Sequence, residues 1–154
     1  MKWNELSEMN CPIARTLAIL GDRWTLLIIR NAFMNTSRFD DFQKQLGITR
    51  HLLAERIKRL VDHDIFEKKI YQESPKRYEY KLTEKGKALY PVIISISAWG
   101  SIWNNETKEF SEIRYIHKTC NQLILPDLTC PCCHEKIDGR LMTPIYTQPD
   151  SSLN

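Results

Sequence analysis

The sequence predicts a mainly α-helical chain of the mixed α+β class, and three observations support this prediction. Segments with apolar residues three or four positions apart, which is typical of helices, lie before and after one short β-rich stretch. Within 37–63, Gly47 and Thr49 mark the end of one helix and the start of another. Apolar and polar residues alternate within 65–82 on both sides of a turn at 74–76, as in a β-hairpin. This order predicts a winged helix-turn-helix, with a long C-terminal helix for dimerisation and a small cysteine-rich tail.

Two helices are predicted ahead of the helix-turn-helix. Pro12 suits the first position of a helix that Gly21 ends. The residues of this helix that we expect to face inward are Ile13, Leu17 and Leu20. Asp22 is placed to cap the second helix. Because residues 26–29 are apolar almost all round, we expect the second helix to be the central core helix.

Residues 37–63 carry the signals of two consecutive helices. Ser37, followed by Asp40, resembles a capping box, and Gly47 stops the first helix. Thr49 can cap the second, which extends from Arg50 to about residue 63. We expect its inward face to hold Leu53, Ile57, Leu60 and Val61. A helix of this length spans roughly 20 Å and fits the major groove of DNA.

Polar and basic residues of the second helix and of the hairpin turn are the candidates for contacting DNA. They are Thr49, Arg50, His51, Lys58, Arg59, Lys76 and Arg77. Residues at the helix N-terminus usually approach bases, whereas Lys58 and Arg59 are better placed for phosphates. The alternative is an ordinary solvated charged face. Nearby carboxylates, at Glu55, Asp62 and Asp64, would repel phosphate.

Length and charge are consistent with a DNA-binding domain plus a small appendage. The chain has 154 residues, of which 42% are hydrophobic and 27% charged, and its net charge is +3. Residues 47–81 contain nine Lys or Arg and six Asp or Glu, so this surplus of three equals the net charge of the chain. The modest positive excess therefore falls on the predicted binding element.

The sequence contains no visible signal peptide, and a transmembrane reading of the uncharged stretch 88–105 is disfavoured by its proline, glycine, serine and asparagine residues. We therefore expect a cytoplasmic protein whose five cysteines are thiols or metal ligands. A phosphate loop, a nucleophile motif and recognisably spaced carboxylate pairs are also missing from the sequence. This pattern argues against an enzyme.

A long apolar helix is predicted after the hairpin. Thr83 can cap it, it extends to about residue 105, and Pro91 should kink it or split it in two. Its apolar stripe comprises Leu89, Val92, Ile93, Ile96, Trp99, Ile102 and Trp103. We expect a second copy of the chain to cover this stripe, which makes 11–106 a DNA-binding and dimerisation domain. The alternative is that the stripe folds back on Trp3 and the first helix.

Several motifs together resemble the HxlR family of bacterial transcriptional regulators, which are relatives of the MarR-type winged-helix proteins. The similar segments are the Cys11-Pro12 pair, GDRWTLLI at 21–28, the Arg38-Phe39 pair, LAERIKRL at 53–60, PKRYEYKLTEKG at 75–86 and AWG at 98–100. The resemblance implies a homodimer that binds double-stranded DNA, with a reading helix at 50–64 and a wing contact at Arg77. It covers about two-thirds of the chain.

Cys11 is the candidate for a redox or electrophile sensor. It precedes a proline at a helix N-terminus, where the helix dipole favours a thiolate. The resemblance adds that some relatives sense thiol-reactive electrophiles or oxidants through a cysteine near the N-terminus. The alternative is a buried cysteine that acts as a small apolar residue.

Residues 113–140 depart from the family pattern and carry two pairs of potential metal ligands. His117 and Cys120 form an HxxC pair, and Cys130 and Cys133 form a CxxC pair. Two such pairs can supply the four N and S donors of a tetrahedral structural zinc site. The competing ligands are Cys132 and His134. Other interpretations are a redox dithiol of Cys130 with Cys133, or a tail with incidental cysteines.

These features predict a dimeric, DNA-binding transcriptional regulator, with a thiol-reactive or redox signal implied by the resemblance. The alternative function is a winged-helix module that binds other proteins, with the zinc-binding tail as its docking surface. Sequence-specific DNA binding distinguishes the two.

Overall fold

The computed structural model describes residues 3–103, 115–123, 129, 132–136 and 139–141. The chain forms two compact units, Met1–Trp99 and Gly100–Asn154. The elements up to the end of the last long helix follow each other in this order: α1 Trp3–Glu8, α2 Pro12–Leu20, α3 Thr25–Phe33, α4 Phe39–Leu46, α5 Arg50–Asp62, β1 Phe66–Gln72, β2 Arg77–Leu82, α6 Glu84–Lys87 and α7 Tyr90–Trp103. This is the predicted helix-turn-helix (α4, α5) and hairpin.

The core of the first unit is built around α3 and α5. Ile28 and Ile29 of α3, Phe42 of α4, and Leu53 and Leu60 of α5 are fully buried. The prediction that the second helix, α3, is the central core helix is therefore confirmed. Burial of a side chain of this size contributes about 1.5–3 kcal/mol, so this cluster holds the helix-turn-helix on the core helix.

The turn between α4 and α5 follows the sequence signals closely. Gly47 takes the left-handed conformation, with φ of 63°, and its N–H donates to the Gln43 carbonyl. The Thr49 hydroxyl accepts a hydrogen bond from the Leu52 N–H at 3.4 Å and so caps α5. Local chemistry alone therefore sets the start of α5.

The inward face predicted for α2 is confirmed at Leu20 and is wrong at Ile13 and Leu17. Ile13 is 71% and Leu17 is 47% exposed, whereas Ala14, Ala18 and Leu20 are buried. Both faces of this helix are apolar, so periodicity could not distinguish the face with small residues, which packs inward, from the face with large ones.

Ser37 does not cap α4 as predicted. The N-cap residue is Arg38, whose backbone is extended and whose side chain makes no capping hydrogen bond. The Ser37 carbonyl instead accepts from the Tyr80 N–H at 2.7 Å, and Arg38 bridges Glu79 in antiparallel fashion. Pairing with β2 therefore replaces the capping box, because it satisfies backbone groups on both segments.

The hairpin, here called the wing, comprises β1, β2 and the tip at 73–76. The two strands are antiparallel, with Phe66 opposite Leu82 and Ile70 opposite Tyr78, and the register shifts between Ile70 and Gln72. Buried Phe66 attaches the base of the wing to the core. The base of the wing is therefore fixed to the core.

The predicted long helix is divided into α6 and α7. Thr83 caps α6 through a hydrogen bond from the Gly86 N–H, and α7 begins at Tyr90 with Pro91 in its first turn. Proline lacks an N–H, so it fits the first turn of a helix better than an interior position. The predicted apolar stripe does not lie on one buried face. Ile93 and Ile94 are buried, whereas the exposed apolar residues are Val92, Ile96, Trp99, Ile102 and Trp103.

The second unit contains short antiparallel pairings. Strand β3, Ile116–His117, pairs with β4, Gln122–Leu123. Thr129 bridges Lys136, and a short 3-10 helix spans Gly139–Leu141. Within the part of the chain that the structure describes, no helix has the length and apolar character needed to cross a membrane.

Candidate nucleic-acid interface

Helix α5 presents one face to the core and the other to solvent. Its buried residues, Leu53, Ile57 and Leu60, recur every three or four positions. His51, Glu55 and Lys58 lie on the exposed side. Helix α5 is thus held by its apolar face and leaves a polar face open to a partner.

A buried ion pair also fixes α5 to the start of the core helix. Arg56 Nε lies 3.0 Å from Asp22 Oδ1, and the two side chains are only 16% and 8% exposed. The contact lacks the alignment of a hydrogen bond. Burial by itself would raise the pKa of Asp22, but hydrogen bonds from the Thr25 side chain and from the Trp24 and Thr25 N–H groups, with the Arg56 charge, lower it overall.

Arg50, at the start of α5, is 71% exposed and lies beside α4. Its Nη1 is 3.2 Å from Asp40 Oδ1, and its guanidinium lies 4.9 Å from the centre of the Phe39 ring. The Asp40 side chain is 82% exposed, so water screens this ion pair. A phosphate group can therefore compete with Asp40 for the Arg50 charge.

The other α5 candidates differ in their accessibility. Thr49 and His51 are exposed, but the Thr49 hydroxyl is already used as the helix cap. Lys58 is 79% exposed and pairs with Asp62 at 3.4 Å. Arg59 is half-buried. The carboxylates expected to repel phosphate are partly compensated, because Asp62 pairs with Lys58 and Glu55 pairs with Arg56 at 2.8 Å.

A groove of about 590 Å³ lies between the helix-turn-helix and the wing. Its lining includes Arg50, Lys76 and Arg77, so three predicted DNA contacts come together here. The rest of the lining comprises Arg38, Phe39, Asp40, Asp41, Ala54, Tyr71, Tyr78 and Tyr80. Thr49, His51, Lys58 and Arg59 do not line this groove.

Sequence reasoning missed Arg38 and Tyr71 as parts of this surface. The Arg38 guanidinium lies 4.7 Å from the centre of the Tyr71 ring, which is an attractive cation–π geometry. Lys68 lies 3.9 Å from the Tyr78 ring in the same wing. For Tyr71 the alternating aromatic residues of the wing were the available signal.

Cys11 is half-buried at the N-cap of α2. Its backbone is extended, with φ of −142° and ψ of 118°, and its side chain makes no capping hydrogen bond. It is a free thiol. The sulfur is thus partly accessible and is not committed to capping the helix.

The predicted tail ligands are only partly within the described residues. His117 Nδ1 lies 3.2 Å from Cys120 Sγ, and Cys120, Cys132 and Cys133 are exposed free thiols. Cys130 lies outside the described residues. Among the residues that the structure does describe, no three His, Cys, Asp or Glu side chains gather at one potential metal site.

Comparisons with known proteins identify one family of transcriptional regulators. Residues 19–109 match the family model described as HxlR-like helix-turn-helix. A protein of Mycobacterium tuberculosis described as the uncharacterised HTH-type transcriptional regulator Rv3095 is 38% identical over 132 residues, which are 86% of this chain and 83% of that protein.

Two solved structures extend the comparison. PA1607, described as a candidate transcription factor, is similar with a TM-score of 0.81 and 30% identity, covering 93% of this chain and 99% of that one. The redox regulator HypR in its reduced form is similar with a TM-score of 0.58 and 25% identity, and the match covers 65% of this chain and 100% of that one. HypR has also been solved in its oxidised form.

Proposed function

Because this chain belongs to the HxlR-like helix-turn-helix family of transcriptional regulators, we propose that it binds specific DNA sites as a homodimer. Each subunit inserts α5 into a major groove and sets its wing against the adjacent backbone. The observation that carries this proposal is the groove between α5 and the wing. Arg50 of α5 and Arg77 of the wing both line it.

The charges of this surface suit a DNA backbone. Arg38, Arg50, Lys76 and Arg77 line the groove, against the two carboxylates of Asp40 and Asp41. Lys58 extends the basic surface along the exposed face of α5. Such residues bind phosphates and set the register of the protein, while the N-terminal residues of α5 meet base edges.

The exposed stripe of α7 supports the homodimer. Val92, Ile96 and Trp99 are spaced so that they share one face of the helix, and they are 44%, 49% and 59% exposed. Ile102 and Trp103, in the last turn, are more exposed still. A contiguous apolar face of this kind is typical of a protein–protein interface. A second copy places two copies of α5 on one duplex.

Selection of bound fragments from the host genome, followed by footprinting, tests the proposal. We expect protection of two similar half-sites about 10 base pairs apart, or a small multiple of that spacing. Binding to every fragment with equal affinity would contradict a specific regulator. That result would favour a module that binds other proteins.

We further propose that Cys11 makes DNA binding responsive to thiol-reactive compounds. Its free, partly accessible thiol supports this role, as does the likeness to HypR, which is described as a redox regulator. Treatment with a quinone should weaken DNA binding by the parent and leave Cys11→Ser unaffected. Cys132→Ser is the matched control and should respond like the parent. If Cys11→Ser responds like the parent, Cys11 is not the sensor.

A further inference from the structure

A buried amide side chain lies near the C-terminal end of the core helix α3. Asn31 follows the fully buried Ile28 by one helical turn and is itself only 3% exposed. An amide buried to this degree costs free energy unless both its oxygen and its nitrogen have hydrogen-bond partners. The structure supplies a partner for each atom, Arg30 for the oxygen and Gln45 for the nitrogen. Because Gln45 belongs to α4, the buried amide connects the core helix to the helix-turn-helix.

Arg30 fixes the direction of every hydrogen bond in this network. Its Nε and Nη2 atoms lie 3.0 and 2.7 Å from Asn31 Oδ1, and a guanidinium group can only donate. Asn31 Oδ1 therefore accepts, which leaves Asn31 Nδ2 to donate to Gln45 Oε1 at 2.9 Å. Gln45 must in turn present its oxygen, and not its amide nitrogen, to the core helix.

Thr36, in the linker between α3 and α4, completes the network. Its hydroxyl donates to the same Gln45 Oε1 atom at 2.9 Å, and its backbone N–H donates to the Asn31 carbonyl at 3.0 Å. Thr36 is only 8% exposed. One oxygen atom of Gln45 thus accepts from both the core helix and the linker. A side chain without this oxygen would leave two donors of buried residues without their partner, which is costly.

The network attaches α4 at a point where its apolar packing is limited. Phe42 is the buried residue of this helix, and a single buried side chain holds a helix in place but determines its rotation only weakly. Gln45 lies in the last turn of α4, two residues before Gly47. A satisfied polar network of this kind favours one arrangement of the elements that it joins. The network therefore fixes the end of α4 that leads into α5.

On the basis of the DNA binding proposed above, on which this role rests, we propose that Gln45 is a positioning residue for DNA recognition. Through Asn31 and Thr36 it sets the orientation of α4 on the core helix and hence the start of α5. The Asp22–Arg56 pair holds α5 near the other end of the core helix. Without the Gln45 contact, part of the population has a misoriented helix-turn-helix, and the apparent affinity for a specific site falls with the competent fraction.

The ratio of affinities for a selected genomic fragment and for a random-sequence duplex tests this role. Gln45→Leu removes the acceptor at similar side-chain volume and should lower the ratio at least about fivefold, as expected for the loss of one buried hydrogen bond. Its salt slope should equal that of the parent, because no phosphate contact is lost. Gln43→Leu is the matched control, since it makes the same change at a half-buried position of α4 outside the network. It should keep the parent ratio.

Gln45→Glu separates positioning from a general effect of substitution at this site. It keeps an acceptor oxygen and should hold the affinity ratio within about twofold of the parent. Its added charge acts on both duplexes, so the ratio cancels that effect. A parent-like ratio in Gln45→Leu, or equal losses in Gln45→Leu and Gln45→Glu, would overturn the positioning role and leave the proposed function intact. Equal affinity of the parent for both duplexes would instead contradict the proposed function itself.

Urea denaturation provides a second measurement that does not involve DNA. Asn31→Leu, Gln45→Leu and the double variant form a double-mutant cycle. Both single variants remove the same contact, so the double variant should lose less stability than the sum of the two single losses. Strictly additive losses would show that the two side chains are not coupled and would overturn the positioning role.

Discussion

Arg56 of α5 lies against Asp22, the residue that precedes the core helix, with Arg56 Nε 3.0 Å from Asp22 Oδ1. The pair joins the surface proposed to read DNA to the centre of the fold. It lies on the inward side of α5, so it positions the helix without occupying its exposed face. Asp22 is held in turn by the Trp24 and Thr25 N–H groups, at 2.9 and 3.1 Å.

Removing one partner of this ion pair should destabilise the domain strongly. Arg56→Ala removes the counter-charge of the Asp22 carboxylate, which keeps its hydrogen bonds from Trp24 and Thr25, so we expect a loss of about 1–3 kcal/mol. Urea denaturation measures the change in the free energy of unfolding. Lys58→Ala is the matched control, because Lys58 is 79% exposed and its removal should change stability by less than about 0.5 kcal/mol. Equal stabilities of the two variants would contradict a positioning role for Arg56.

The stability contributed by Asp22 should depend on pH. Its pKa is lowered in the folded state, so the unfolded chain binds the proton more tightly and acid favours unfolding. The contribution is therefore complete above the ordinary aspartate pKa of about 3.9 and declines as pH falls through the lower folded-state pKa. Stability curves of the parent and Asp22→Asn should be separated by a constant amount near pH 7. They should converge below about pH 4, and curves equally far apart at pH 7 and pH 3 would contradict this account.

Gly86 is required by a close approach of two backbones. A Cβ at this position would lie 2.3 Å from the Ile65 carbonyl oxygen, which cannot move independently of the strand. Gly86→Ala should therefore lower the free energy of unfolding by about 1–3 kcal/mol or more. Gly100→Ala is the control, since Gly100 lies within α7 with nothing inside 4 Å of a Cβ. It should raise stability by about 0.5–1 kcal/mol, and a Gly86→Ala variant as stable as the parent would show that the strand shifts freely.

A charge in the exposed stripe of α7 should dissociate the homodimer. Trp99 is 59% exposed in the single chain, and Trp99→Glu would place a carboxylate in an apolar interface. Sedimentation equilibrium should show a dimeric parent and a largely monomeric variant. Met34→Glu introduces the same charge at a position 66% exposed outside α7 and should stay dimeric. A Trp99→Glu variant that dimerises like the parent would place the interface elsewhere.

The sequence was most informative where local chemistry decides structure. Gly47 and Thr49 mark the helix-turn-helix boundary because a positive φ and a side-chain cap are properties of single residues. Prediction from the sequence failed where contacts between distant segments determine the structure. Ser37 pairs with Tyr80 in place of capping α4, and Ile13 faces outward because the alanine side of α2 packs inward.

The candidate DNA-binding surface was likewise predicted only in part from the sequence. Arg50, Lys76 and Arg77 were predicted from the motif, and the structure brings them to one groove. Arg38 was missed because its place in that groove depends on the pairing of its backbone with Glu79 in the second strand. A single-residue pattern contains no trace of such a long-range contact.

The salt dependence of DNA binding tests the central claim most directly. With a selected genomic fragment, fluorescence anisotropy gives the slope of log K against log salt for the parent, Lys58→Ala and Arg77→Ala. Each variant should have a slope shallower by about one unit, because each loses one phosphate contact. Lys87→Ala removes a charge paired with Glu84 and should keep the parent slope. Parent-like slopes in both Lys58→Ala and Arg77→Ala would contradict DNA binding by α5 and the wing.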